Sequence, residues 1–274
     1  MDYLNKALLG YNLVFNEQTK GLGVFDSILE PIKKSFGNPQ DLTELHKNLP
    51  FEEIKKANVI ANESIKESFS DITKKIVKSL GYKKHFYINH TPVIRYFPPF
   101  DFINRHEKSE EHKNGLCCVG IKAGNGRVRY HGPHRDCWYD SSTNTVNIWI
   151  AITDIEPGNG MVIYPESLNK DIERRGVEAL TNGSFGKPEF FPMKAGSLLL
   201  FNANHIHTTE LNTTDKTRVS LTLRVSLDKP TFLSTEGKNP IYYDSRFVNT
   251  PLKKIMTEPN LCSRLLTGKI KLLR

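Results

Sequence analysis

The chain has 274 residues, of which 38% are hydrophobic and 25% charged. That is a globular composition, and no apolar stretch approaches the ~20 residues a bilayer span needs, which excludes a disordered polyelectrolyte and a membrane protein. The net charge of +8 permits an anionic partner, but the lysine pairs at 33–34, 55–56, 74–75 and 83–84 stand among acidic residues and read as solvated helix faces, which disfavours nucleic acid.

In chain order, the opening Met1–Lys6 lacks the basic region and apolar run of an export leader. Residues 24–36 are expected to form a helix that Pro31 bends or opens. Asp41–Asn48 reads as a shorter helix ended by Pro50. From 51 to 80, Ile54, Ala61, Ile65, Phe69, Ile72, Ile76 and Leu80 recur at the helical period, and Gly81 stands where a C-cap belongs. After Gly81 the texture changes to aromatic and β-branched residues. Strands are predicted at His85–Phe97, Cys117–Ile121, Arg127–His131, Thr143–Thr153, Met161–Tyr164, Ser197–Phe201 and Arg218–Ser226. Turn signals separate them at Gly124-Asn125-Gly126, Pro157–Gly160 and Lys194-Ala195-Gly196. Many short strands with such turns predict a sandwich or jelly roll. Residues 98–114 and 166–192 are long polar connections of the kind that cover a site. The four cysteines, Cys117, Cys118, Cys137 and Cys262, contain no CxxC pair, so reduced thiols in a cytoplasmic protein are expected.

Chemistry concentrates in two places. In His131-Gly132-Pro133-His134-Arg135-Asp136, a strand would turn residues i and i+2 to one face, presenting His134 and Asp136 side by side. One more histidine would complete two imidazoles and a carboxylate, a set that suits Fe(II) and leaves coordination positions open. His131 is read as lining the pocket behind that set. Taken alone, His-x-Asp is weak; the stretch Gly196–Arg224 strengthens it by offering His205 and His207 after one apolar strand and Arg218 opening another. A buried arginine needs an anionic partner, and a planar guanidinium matches a carboxylate in bidentate fashion. A dicarboxylate with one end on a metal and the other on Arg218 fits that pairing.

These segments together resemble the phytanoyl-CoA dioxygenase-like group of Fe(II)/2-oxoglutarate-dependent oxygenases. The family motif continues from a distal His through a hydroxyl or glycine pair and an Asn to an Arg eleven residues on. His207-Thr208-Thr209-Glu210-Leu211-Asn212 and Arg218 match it. Asn147-Ile148-Trp149 is similar to the family's tryptophan-bearing strand, and Asn159–Ser167 to its Asn-Gly turn, from which Glu166 and Leu168 depart. Lys194–Phe201 is similar to its Gly-Asp-Leu-Leu-Leu-Phe strand, with Ser197 replacing the acid. The likeness covers about residues 90–226.

The resemblance implies a mainly β protein, a double-stranded β-helix (jelly-roll, cupin-like) barrel braced by N-terminal helices. It would form a single domain over 1–274: a helical part at 1–84, the core at 85–230 and an extension at 231–274. It implies that His134, Asp136 and His207 bind Fe(II), that Arg218 clamps the far carboxylate of 2-oxoglutarate and that Thr209 adds a hydroxyl hydrogen bond. His207 is preferred to His205 because only its spacing to Arg218 matches. The expected activity is a dioxygenase that takes O2 and 2-oxoglutarate as co-substrates, hydroxylates a small and acidic molecule, and releases succinate and CO2. Asp136 argues against the halogenating members, which lack that carboxylate.

Trp138 and Tyr139 would stand at the pocket mouth, stacking on a substrate or packing under a loop. Trp149 reads as core and Cys137 as structural. Lys122, Arg127 and Tyr130 could reach an acidic ligand or be solvated. Two other readings stay open. A cupin-like metal binder without oxygenase activity would have no use for Arg218. An oxygenase acting on nucleic acid would need a basic, aromatic groove beside His134.

Overall fold

The computed structural model describes residues 2–106, 132–139, 141–175, 178–180, 185–233 and 241–247. The predicted strands Cys117–Ile121 and Arg127–His131 lie outside these residues, as do Lys122, Tyr130 and His131.

The N-terminal part is helical: α1 Tyr3–Leu8, α2 Gln18–Gly21, α3 Phe25–Ser35, α4 Leu45–Asn48, α5 Phe51–Ser64, α6 Phe69–Ser79 and, beyond two strands, α7 Phe100–His106. Helix α3 runs through Pro31 without a break, and the Ser35 hydroxyl donates to the Pro31 carbonyl at 2.8 Å. The expected helix at Asp41–Asn48 begins as a 3₁₀ turn, capped where Asp41 accepts from the Thr43 amide at 2.8 Å, and continues as α4. The apolar run at 51–80 is two helices, joined by a 3₁₀ turn at Ile65–Glu67. The Ser64 hydroxyl there donates to the Ala61 carbonyl at 2.9 Å, back-bonding that bends helices. The apolar positions read from the sequence are buried throughout, from Ile54 to Leu80. Gly81 takes φ +84°, the left-handed conformation of a helix stop.

The strands are β1 Leu13–Phe15, β2 Tyr87–Asn89, β3 Val93–Phe97, β4 Thr145–Ala151, β5 Met161–Tyr164, β6 Arg174–Arg175, β7 Glu178–Ala179, β8 Glu189–Phe190, β9 Leu198–Asn202, β10 Ile206–Thr209, β11 Arg218–Ser226 and β12 Tyr242–Asp244. The larger sheet is antiparallel in the order β1-β9-β4-β11-β2-β12, with β3 also paired to β11. The smaller sheet is β10-β5-β8. The single strand expected at His85–Phe97 is therefore two. Pro92 has no amide to donate, and the chain re-enters the sheet further along the same partner: β2 pairs Val225 and Ser226, whereas β3 pairs Arg218–Thr222.

The larger sheet is buried on both faces, which explains its near-continuous burial. On one face Ile148, Ile150, Leu198, Leu200, Val219, Leu221, Leu223 and Val225 merge with the helices into one core. Asn62 of α5 fastens the layers by accepting from the Ile94 amide at 2.8 Å. On the other face Trp149, Ala151, Leu199 and Phe201 meet Met161 and Ile163 of the smaller sheet. Two antiparallel sheets closing over a shared interior make the double-stranded β-helix sandwich, and the candidate site lies between them.

Candidate metal and co-substrate site

His134 and His207 are backbone partners, each amide donating to the other's carbonyl at 3.0 Å. This places a residue of the segment at 132–139 beside β10. The chain does not continue as a strand to Asp136, as the i, i+2 reading assumed: a 3₁₀ turn begins there. The Asp136 amide is held instead by the Ala203 carbonyl at 3.0 Å, and the turn swings the carboxylate toward both imidazoles. His134 Nε2 lies 3.6 Å and His207 Nε2 3.7 Å from the same oxygen, Asp136 Oδ1. The two rings sit with centroids 4.3 Å apart. One potential ligand atom from each residue lies within 4.8 Å of the others, and all three residues are buried.

The tautomers follow from the partners. His134 Nδ1 is 2.7 Å from the Gly132 carbonyl and His207 Nδ1 3.0 Å from the His205 carbonyl. A carbonyl only accepts, so each Nδ1 carries the proton and each Nε2 offers a lone pair to the shared point, the usual arrangement behind a metal-binding histidine. Burial, then the neighbouring His134 ring, lowers His207 to about 3, so it is neutral at ordinary pH. Burial opposes the charge on Asp136, but the Arg224 guanidinium beside it outweighs burial and holds this carboxyl well below the usual range. Asp136 is therefore ionised and His207 neutral. Two imidazoles and one carboxylate, with no thiolate, fit Fe(II).

Arg218 and Thr209 line the same cavity as the three donors. Arg218 opens β11 and is 1% exposed, its guanidinium 4.1 Å over the Phe97 ring and 5.5 Å from Trp149. Its neighbour Asn212 explains the asparagine of the sequence motif: its Nδ2 donates to the Phe97 and Lys216 carbonyls at 2.6 and 2.7 Å, closing the loop that delivers the chain to Arg218. A buried guanidinium and three metal-type donors lining one cavity fit a dicarboxylate.

The second histidine is separate. His205 precedes β10 and is fully buried. Its Nε2 lies on the side of Gly10, 3.6 Å from where a Cβ there would stand, and burial, then Arg135, lowers it to about 4. Trp138 packs with Ala179, Phe185 and Ile206 behind the smaller sheet, flanked by Arg135 and Arg174. Of the two readings for that pair, packing applies to Trp138, whereas Tyr139 meets His134 edge-on at 5.4 Å. Trp149 is core, as expected, and also lines the cavity. Cys137 is buried, which pushes its thiol up to about 11. Sequence reasoning missed Arg224, Asn147 and Arg95. The first two bond to Asp136, and Arg95 and Arg224 share the cavity lining. The signal was the alternation Arg218, Ser220, Thr222, Arg224, Ser226 along β11, a polar row on one face of a strand with no solvent on either side.

Among the described residues no helix is long and apolar enough to cross a membrane. No curated protein matches the chain by sequence. Similar solved structures include the epimerase SnoN in complex with Fe3+, α-ketoglutarate and nogalamycin RO, at 12% identity and a TM-score of 0.47, covering 87% of this chain and 93% of that one. The non-haem monooxygenase ThoJ in its apo form is 12% identical at a TM-score of 0.46, over 81% and 75% of the two chains. EctD from S. alaskensis is 15% identical at 0.43, over 84% and 80%. The phytanoyl-CoA dioxygenase (PhyH) family model matches residues 34–220, a span that contains every residue of the site up to Arg218, and the chain belongs to that family.

Proposed function

We propose that the protein is a non-haem Fe(II)- and 2-oxoglutarate-dependent dioxygenase that hydroxylates a small acidic molecule and releases succinate and CO2. The observation that carries this reading is the convergence of His134, Asp136 and His207 with Arg218 and Thr209 in one cavity. His134, Asp136 and His207 would hold the iron, which when bound supplies the redox centre for O2 reduction and substrate oxidation. Arg218 would grip the distal carboxylate of 2-oxoglutarate through its two-pronged face, and Thr209 would donate its hydroxyl. The carbonyls of Gly132 and His205 keep both imidazoles oriented, with Nε2 of each turned to the shared point. Met161, Trp149 and Phe201 wall the cavity with apolar surface and limit water.

The acidic character of the substrate rests on charge. Besides Arg224, which bonds to Asp136, and Arg218, assigned to the co-substrate, the cavity lining carries a third guanidinium, that of Arg95. Such a concentration of cationic side chains favours anions at the centre itself. A cupin-like metal binder would leave Arg218 without purpose. We read the helical part at 1–84 as bracing a single catalytic domain.

The test is anaerobic addition of Fe(II) and then 2-oxoglutarate to the purified protein, followed by visible absorption. A charge-transfer band that needs both additions, and that is absent in Asp136→Ala, is expected. Metal binding without any response to 2-oxoglutarate would refute the reading and leave the metal-binder account.

A further inference from the structure

The environment of Asp136 assigns a role to two residues of the larger sheet. Arg224 on β11 and Asn147 on β4 are paired positions in the antiparallel register. Both side chains point into the interior and both residues are buried, at 3% and 0% exposure. They close on the same carboxylate from two sides. Asn147 Nδ2 donates to Asp136 Oδ2 at 2.7 Å, and Arg224 Nη2 donates to Oδ1 at 3.2 Å. The two oxygens are thereby made unequal. Oδ1 is the one near both imidazole Nε2 atoms. Oδ2 is engaged by an amide that belongs to the sheet wall. Left alone on a short turn, a carboxylate can rotate and chelate a cation through both oxygens. Chelation would consume a coordination position that a two-point co-substrate and O2 require.

We propose that Asn147 and Arg224 are positioning residues that fix Asp136 as a one-oxygen ligand through Oδ1; this rests on the iron-site reading above. Asn147 sets the rotation of the carboxylate by holding Oδ2. Arg224 sets its depth by holding Oδ1 from the strand that also carries Arg218, so one rigid strand positions both the ligand and the co-substrate clamp.

Titration with Co(II), a spectroscopic stand-in for Fe(II), separates the outcomes in wild type, Asn147→Leu, Arg224→Met and Arg224→Lys, each first checked by thermal melting for a folded state. Asn147→Leu and Arg224→Met should bind Co(II) about 10–100-fold more weakly, the range seen when outer partners of metal ligands are lost. Their ligand-field spectra should differ from wild type, and 2-oxoglutarate should perturb them less. Arg224→Lys, which keeps a charged donor, should recover part of the loss. Affinities within threefold of wild type together with unchanged spectra in the folded variants would overturn the proposal and leave the iron site standing. Absence of Co(II) and Fe(II) binding in wild type would overturn the site and the proposal together. If Arg224→Met does not fold, Asn147→Leu and Arg224→Lys carry the same comparison.

Discussion

Arg218 offers the sharpest test of the co-substrate site, and its consequence can be worked from its surroundings. The side chain is 1% exposed and stacked on Phe97, so it is held in place before any ligand arrives. A carboxylate gripped there makes charge-assisted hydrogen bonds shielded from water. Truncating one partner of such a buried pair costs about 2–5 kcal/mol. At 1.4 kcal/mol per tenfold, Arg218→Ala should raise the Kd for 2-oxoglutarate by roughly 30- to several thousand-fold. Arg218→Lys keeps the charge and loses the fork, and should fall between wild type and alanine. Thr209→Val removes one neutral hydrogen bond, about 0.5–1.5 kcal/mol, or roughly 2- to 13-fold. The assay is anaerobic calorimetric titration of metal-loaded protein with 2-oxoglutarate, with metal affinity measured separately. The assignment is refuted if folded Arg218→Ala binds 2-oxoglutarate within threefold of wild type. It is equally refuted if wild type binds a 2-oxo acid lacking the distal carboxylate as tightly as the dicarboxylate.

Two further outcomes are expected. Leu200 is fully buried where β9 lies between Leu13 and Ile148 against the helices, so Leu200→Ala should cost about 2–5 kcal/mol and lower Tm by roughly 5–15 °C; a loss below about 1 kcal/mol in urea unfolding would contradict the two-sided burial. Stability of the metal-free protein should also fall on acidification. His205 is lowered from 6.5 to about 4 by burial, so below 6.5 the unfolded chain takes up a proton that the folded one refuses until about 4, and stability drops across that window as pH decreases. Between pH 7 and 5 this group alone should remove about 2 kcal/mol, and His205→Leu should lose that much less in paired urea titrations; identical pH responses would show that His205 is not the group responsible.

Much of the larger sheet was legible because apolar and β-branched runs there obey period two without interruption. Arg218–Ser226 appears at the boundaries expected and Thr145–Ala151 lies inside the expected 143–153; in the smaller sheet Met161–Tyr164 also has the expected bounds. The helical period at 51–80 found the buried face but not the bend, because a serine hydroxyl back-bonding to the helix leaves the apolar spacing unchanged. Strand β10 escaped because its inward residues are His207 and Thr209 and its outward ones Ile206 and Thr208, so it carries no apolar alternation. The segment 3–22 is built of pieces too short for any period to develop. Within the site, the residues that bond directly to Asp136 were invisible for a different reason. RVSLTLRVS has the pattern of a half-exposed strand, in which arginine and serine would meet water. Here the apolar side faces helices and the polar side faces the cavity. Which side is wet is a property of what packs on the strand, and that information lies elsewhere in the chain, in the N-terminal helices on one side and in the cavity lining on the other.

The pairing of β1 with β9 has a consequence for biosynthesis. Leu13 finds its partner in Leu200, so one of the earliest strands to leave the ribosome waits for one of the last of the larger sheet. The helices between them, α3 to α6, emerge first, and they carry the surface against which β4, β9 and β11 later settle. Nascent protein therefore holds a sticky helical layer without its sheet until Arg218–Ser226 has been translated. The cavity is incomplete before that moment, since Arg218 and Arg224 of its lining come from β11. Docking of that last central strand and completion of the cavity lining are therefore one event in time.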